Sequence, residues 1–177
     1  NNIMTASRAN EDPDALGTVQ QLLQQGEVAK AFETLNSLAG GAQSSVMGQY
    51  MRGVCFRLMR DFINAESALR QLVEGNPSYG RAFQELGHLY RDANMPTEAL
   101  NAYATACHLN PGLKASWTAQ RDLIGKGSPE RATQINQRLQ WLDSLPPALL
   151  ASWDLLHEGK LHKAEQLCRQ FMQQNPQ

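Results

Sequence analysis

The residues able to do chemistry are few and scattered. Three cysteines, Cys55, Cys107 and Cys168, stand more than fifty residues apart with no Cys-x-x-Cys pair among them. An odd, widely spaced set reads as reduced thiols in a cytosolic compartment rather than as a disulfide framework. Cys107 and Cys168 fall on apolar helix faces, the place of small core hydrophobes. Cys55 has no nearby base that would make it a nucleophile. His157 and His162 are five apart, but Gly159 between them reads as a turn, and no ligand set with metal spacing accompanies them. No metal and no cofactor is expected. Gly125-Lys126-Gly127-Ser128 has the letters of a phosphate-cradling loop. Such a loop opens a helix after a strand, and here a helical pattern precedes it. Catalysis in this chain is therefore not expected.

The elements that hold these residues follow from composition and period. The chain has 177 residues, 42% of them hydrophobic and 19% charged, with a formal net charge of −1. Leu and Ala lead, while Val and Ile together supply only nine residues, which argues for all-α and against a sheet. A nucleic-acid binder would carry a basic excess that is missing here. No apolar run approaches the roughly 18–20 residues of a membrane span, and the polar start of the chain has no signal-peptide core.

The informative signal is a repeat. Asn76-Pro77 and Asn110-Pro111 lie 34 residues apart, and Asn175-Pro176 closes the chain. Twelve places before each Pro stands an alanine: Ala65, Ala99 and Ala164. Ahead of Pro111 the order is Phe83, Leu86, Gly87, Tyr90, then Ala99, Tyr103 and Ala106. That spacing resembles the tetratricopeptide repeat (TPR) closely. The preceding repeat keeps Gly53, Phe56, Ala65, Leu69, Leu72 and Pro77 but has Gln49 and Arg52 where an aromatic and a Leu belong. Each unit carries two apolar stripes at helical spacing with a short polar break, at Gln25-Gly26-Glu27, Arg60-Asp61, Asn94-Met95-Pro96 and Glu158-Gly159-Lys160. Breaks this short make the two helices antiparallel neighbours. Small Gly87 and Ala99 allow close approach, the Asn-Pro pair stops the second helix, and units must stack to bury their faces.

The resemblance implies a right-handed α-solenoid of about five antiparallel helix pairs over residues 12–177. The units are 12–45, 46–79, 80–113, an irregular 114–144 and 145–177. The irregular unit has Arg121 and Thr133 where Gly and Ala are expected, is about three residues short, and starts its second helix at Ser128-Pro129, with Ser as cap. Pro146-Pro147 opens the next helix. Residues 1–11 are expected to be disordered, Asn1-Asn2-Ile3 reading as a tag remnant before a natural Met4. No polar capping helix follows Asn175-Pro176-Gln177, so the chain reads as a fragment cut at a repeat boundary, its exposed C-terminal repeat open to self-association.

In the TPR superhelix the first helix of each pair lines the concave groove. Carried over, this gives Met47, Tyr50, Val54 and Arg57 in the second unit and Arg81, Gln84, His88 and Arg91 in the third. Thr118 and Asp122 follow in the fourth, and Leu149, Trp153 and His157 in the fifth. The ligand residues expected are Tyr50, Arg57, Arg81, Gln84, His88, Arg91 and Trp153. The three arginines would form a basic wall for carboxylates, and Trp153 would either anchor a ligand or pack on the irregular unit. The Lys/Asn clamp of chaperone-tail binders is missing. The resemblance implies a protein-interaction scaffold for a peptide or partner segment, and the unpaired cysteines place it in the cytoplasm as an expectation. The alternative is a non-catalytic N-terminal arm of a larger enzyme. Leu-Leu-His-Glu-Gly-Lys-Leu-His-Lys-Ala-Glu (155–165) is similar to bacterial proteins in which TPRs precede a sulfotransferase.

Overall fold

The computed structural model describes residues 15–157 and 159–176, so the expected N-terminal disorder and tag remnant lie outside the described residues. The chain divides into two compact units, residues 1–74 and 75–177. Among the described residues of the first unit, α1 (Ala15–Gln24) pairs with α2 (Val28–Ser37), and α4 (Val46–Leu58) with α5 (Phe62–Gly75). A short α3 (Gly40–Ser44) joins the pairs and is an element the repeat does not announce. Val19, Ala31, Leu35, Met51 and Cys55 form the core, with Leu16, Leu23, Phe32 and Met47 packed around it. Each large apolar side chain fully buried in this way contributes about 1.5–3 kcal/mol.

The two off-pattern residues of α4 have work of their own. Arg52 donates to Asn36 Oδ1 at 2.7 Å and to Gln43 Oε1 at 2.8 Å, and lies 5.9 Å from the centre of the Phe32 ring. Gln49 donates to the Ser44 carbonyl at 2.6 Å. Arg52 therefore ties α4 to both α2 and α3, and Gln49 ties it to α3. Ser45 caps α4, accepting from Gly48 N at 3.0 Å.

The second unit pairs α6 (Gly80–Asp92) with α7 (Pro96–Leu109), α8 (Lys114–Ile124) with α9 (Pro129–Ser144), and α10 (Pro147–His157) with α11 (Leu161–Gln174). Close approach depends on missing side chains, as the spacing requires. A Cβ on Gly87 would stand 2.6 Å from the Tyr103 ring, and one on Gly53 in the first unit 2.5 Å from Leu69. Ala65 and Ala99 are fully buried.

Four of the five pairs turn the same way. Gly26, Arg60, Asn94 and Gly159 have φ of 78°, 62°, 60° and 74°. The next amide then reaches back over the turn: Glu27 N to Leu22 O, Asp61 N to Phe56 O, Met95 N to Tyr90 O and Lys160 N to Leu155 O. This is the left-handed helix end that glycine makes cheaply. Arg60 and Asn94 adopt it without being glycine. The α8–α9 pair departs from the pattern, with a single 3₁₀ turn at Gly125–Gly127 where Gly125 has φ 55° and ψ −140°. Ser128 occupies the N-cap position of α9, but its side chain makes no capping bond there, contrary to expectation; its ψ of 81° falls outside the usual extended N-cap range. Pro129 and Pro147 each open a helix as expected.

Cys55 and Cys107 are buried, whereas Cys168 is half-buried. Burial pushes the Cys55 thiol up to about 11 and Cys107 to about 12, from an ordinary 9.0. Two outcomes follow. At neutral pH a disulfide reagent should modify Cys168 rapidly and the other two only on unfolding; three equally fast thiols would contradict this packing. Thiols whose pKa is raised by folding stabilise the native state fully below about pH 9, and that contribution is lost as pH rises through about 11–12. The alkaline decline in melting temperature should therefore be shallower in Cys107→Ala.

Candidate functional site

The seven expected ligand residues fall in different surroundings. In the first unit, Tyr50 is half-buried and packs against the core cluster of α1, α2 and α4. Arg57 is half-buried in the last turn of α4, where a cation complements the helix dipole.

In the second unit the N-terminal half of α6 is engaged by other helices. Arg81 Nη2 donates to Asp154 Oδ2 of α10 at 2.7 Å, 73 residues along the chain. The other oxygen of Asp154 accepts from Asn110 Nδ2 at 3.0 Å, and Asn110 Oδ1 accepts from Gly112 N at 3.0 Å. Asn110, expected only as a helix stop, thus also holds α10 against the α7–α8 turn. Gln84 is buried and its Oε1 accepts from the Ser116 hydroxyl of α8 at 2.8 Å. His88 Nδ1 lies 2.6 Å from the Tyr103 hydroxyl, with the two rings edge to face. Arg91 is exposed at the end of α6, its Nε 3.6 Å from Asp92. Of the expected basic wall, Arg81 is therefore neutralised by Asp154 and Arg91 stands beside a carboxylate.

Trp153 is half-buried. Its ring meets Trp141 of the irregular pair edge to face, with centroids 6.2 Å apart, and its Nε1 donates to His157 Nε2 at 3.3 Å. His157 is also held through Nδ1, 2.9 Å from the Trp153 carbonyl. Both imidazole nitrogens therefore have partners in α10 itself. Among the described residues no group of three or more His, Cys, Asp or Glu could hold a metal.

Thr118 lines an open cavity of about 420 Å³ between α8 and α9. Its polar walls are largely satisfied by one another: Lys114 pairs with Asp143 at 2.9 Å, and Arg121 donates to Asn136 at 3.0 Å. Asp122 is exposed, 3.3 Å from Arg121. Gly125–Gly127 links two helices, with no strand ahead of it, so the backbone there is not that of a phosphate loop.

No family model matches the chain, and no curated protein matches it. Solved structures do match. One is the crystal structure of MamA, a TPR-containing protein, at a TM-score of 0.60 and 20% identity over 75% of this chain and 80% of that one. With the helix pairs described above, that likeness establishes an all-α helical solenoid of the TPR type.

Proposed function

We propose that the chain is a protein-interaction scaffold whose first helices present a face to a peptide or partner segment. The observation that carries this reading is the fold, an α-solenoid shared with TPR-containing MamA. Such stacks bury their contacts between neighbouring helices and leave extended faces for binding. Tyr50 and Arg57 of α4 supply an aromatic and a cation in one unit. His88 and Arg91 supply the same pairing of ring and cation at the C-terminal half of α6 in the other. Arg81, Gln84 and Trp153 act in this reading by fixing α6, α8 and α10 rather than by meeting the ligand head-on. The chain serves as a non-catalytic module in the cytoplasm, and the exposed Leu156 and Met172 of the last pair are where copies would associate. Nothing in the fold favours a sulfotransferase arm over a free-standing scaffold.

The test is charge reversal. In the Arg57→Glu/Arg91→Glu variant, a partner captured by the wild-type chain should be lost while far-UV circular dichroism stays unchanged. Capture that persists at both low and high salt would overturn the reading, since screening alone should weaken it.

A further inference from the structure

A second cleft is formed by α7, α8 and α9 and has a volume of about 360 Å³. Ala104, Pro111 and the Trp117 ring give it apolar lining, and His108, Arg131 and Arg138 give it polar lining. The floor is fixed by hydrogen bonds. Trp117 Nε1 donates to the Pro111 carbonyl at 2.8 Å, and Gln120 Nε2 donates to Cys107 Sγ at 3.1 Å. Arg131 reaches Gln120 Oε1 at 3.5 Å from the rim. Arg138 lies over two indoles, 5.7 Å from the Trp117 centroid and 5.6 Å from that of Trp141. Aromatic contacts leave the N–H edges of a guanidinium available for a planar acceptor. Among the described residues no carboxylate pairs with Arg131 or Arg138, whereas Arg70, Arg81, Arg169 and Lys114 each have one.

Arg131 and Arg138 are seven residues apart, two turns of α9, which sets their backbones about 10 Å from one another along one face. We infer that this cleft docks an acidic peptide segment of a protein partner, its carboxylates on Arg131 and Arg138 and an adjoining apolar side chain against Trp117 and Pro111. Charge complementarity carries the assignment: the walls offer cations and no anion. The volume suits one or two side chains rather than a folded surface. A polyanion such as nucleic acid is disfavoured by a chain whose net charge is −1.

The experiment uses the whole chain and a short fluorescein-labelled peptide in which Glu and Asp flank two Phe residues, read by fluorescence anisotropy. The control peptide carries Gln and Asn in place of the acids. Wild-type protein should bind the acidic peptide and not the control, and Arg131→Gln/Arg138→Gln should weaken binding by about tenfold or more. Arg169→Gln, which removes an exposed cation of α11 outside the cleft, should leave it unchanged, which ties binding to this cleft rather than to positive charge in general. Arg138→Lys, which keeps the charge but loses the planar contact with both indoles, should weaken binding measurably and decides the matter if the double variant loses helicity. The inference is overturned if the peptide does not bind, if the control binds equally, or if the Arg131/Arg138 variants retain full affinity. It is equally overturned if Arg169→Gln weakens binding as much as the cleft variants do, or if a random oligonucleotide displaces the peptide more readily than unlabelled peptide does.

Discussion

Gly87→Leu is expected to destabilise the second unit by about 3 kcal/mol or more, at the upper end of what overpacking costs. The first added carbon would already stand 2.6 Å from a ring atom of Tyr103. That ring cannot retreat, because Tyr103 is fully buried and its hydroxyl meets His88. Relief therefore requires α6 and α7 to separate, which exposes Leu86, Tyr90 and Ala99. All three tryptophans, Trp117, Trp141 and Trp153, lie in the second unit, so their emission reports on it directly. The midpoint of the tryptophan transition should fall by roughly 10–20 °C. An unchanged midpoint would refute the pairing of Gly87 with Tyr103, and with it the repeat register.

Leu35→Ala is the corresponding loss in the first unit, with an expected cost of about 2–5 kcal/mol. Leu35 is fully buried among Val19, Ala31, Met51 and Cys55. Removing its branched end leaves a void that the small neighbours Ala31 and Cys55 are too short to fill. The first unit has no tryptophan, so far-UV circular dichroism and hydrogen exchange in α1, α2 and α4 are the measurements that read it. Protection there should fall, and Leu35→Met should recover most of it, because volume is nearly conserved. Equal protection in Leu35→Ala and wild type would place Leu35 outside the core.

Much of this fold is written in short-range rules. Helical spacing, small residues at Gly53, Ala65, Gly87 and Ala99, and Asn-Pro stops specify antiparallel pairs because each rule acts within one hairpin. The turns were legible at Gly26 and Gly159, where glycine marks the left-handed residue. At Arg60 and Asn94 the same conformation is imposed by the pairing of the helices on either side, at a local cost that packing outweighs. The irregular unit 114–144 was visible as about three missing residues, but the 3₁₀ turn between α8 and α9 was not.

The candidate sites divide along the same line. A first-helix position can be assigned by counting, so Tyr50, Arg57, Arg81, Gln84, His88, Arg91 and Trp153 could all be named from the chain alone. What each side chain meets depends on contacts between residues far apart in sequence. Arg81 with Asp154 and Asn110, Gln84 with Ser116, and Trp153 with Trp141 are such contacts. Arg131 and Arg138 carried a faint signal, two cations seven apart on one helix. Only the packing of α9 beside α8 sets Arg138 over Trp117 and Arg131 beside Gln120, with no carboxylate partner for either among the described residues. The sequence determined an all-α chain of paired helices, because periodicity and turn chemistry are local properties of the backbone. The tertiary structure alone decided which charges are neutralised and which stay available, because electrostatic pairing is set by distance in space rather than along the chain.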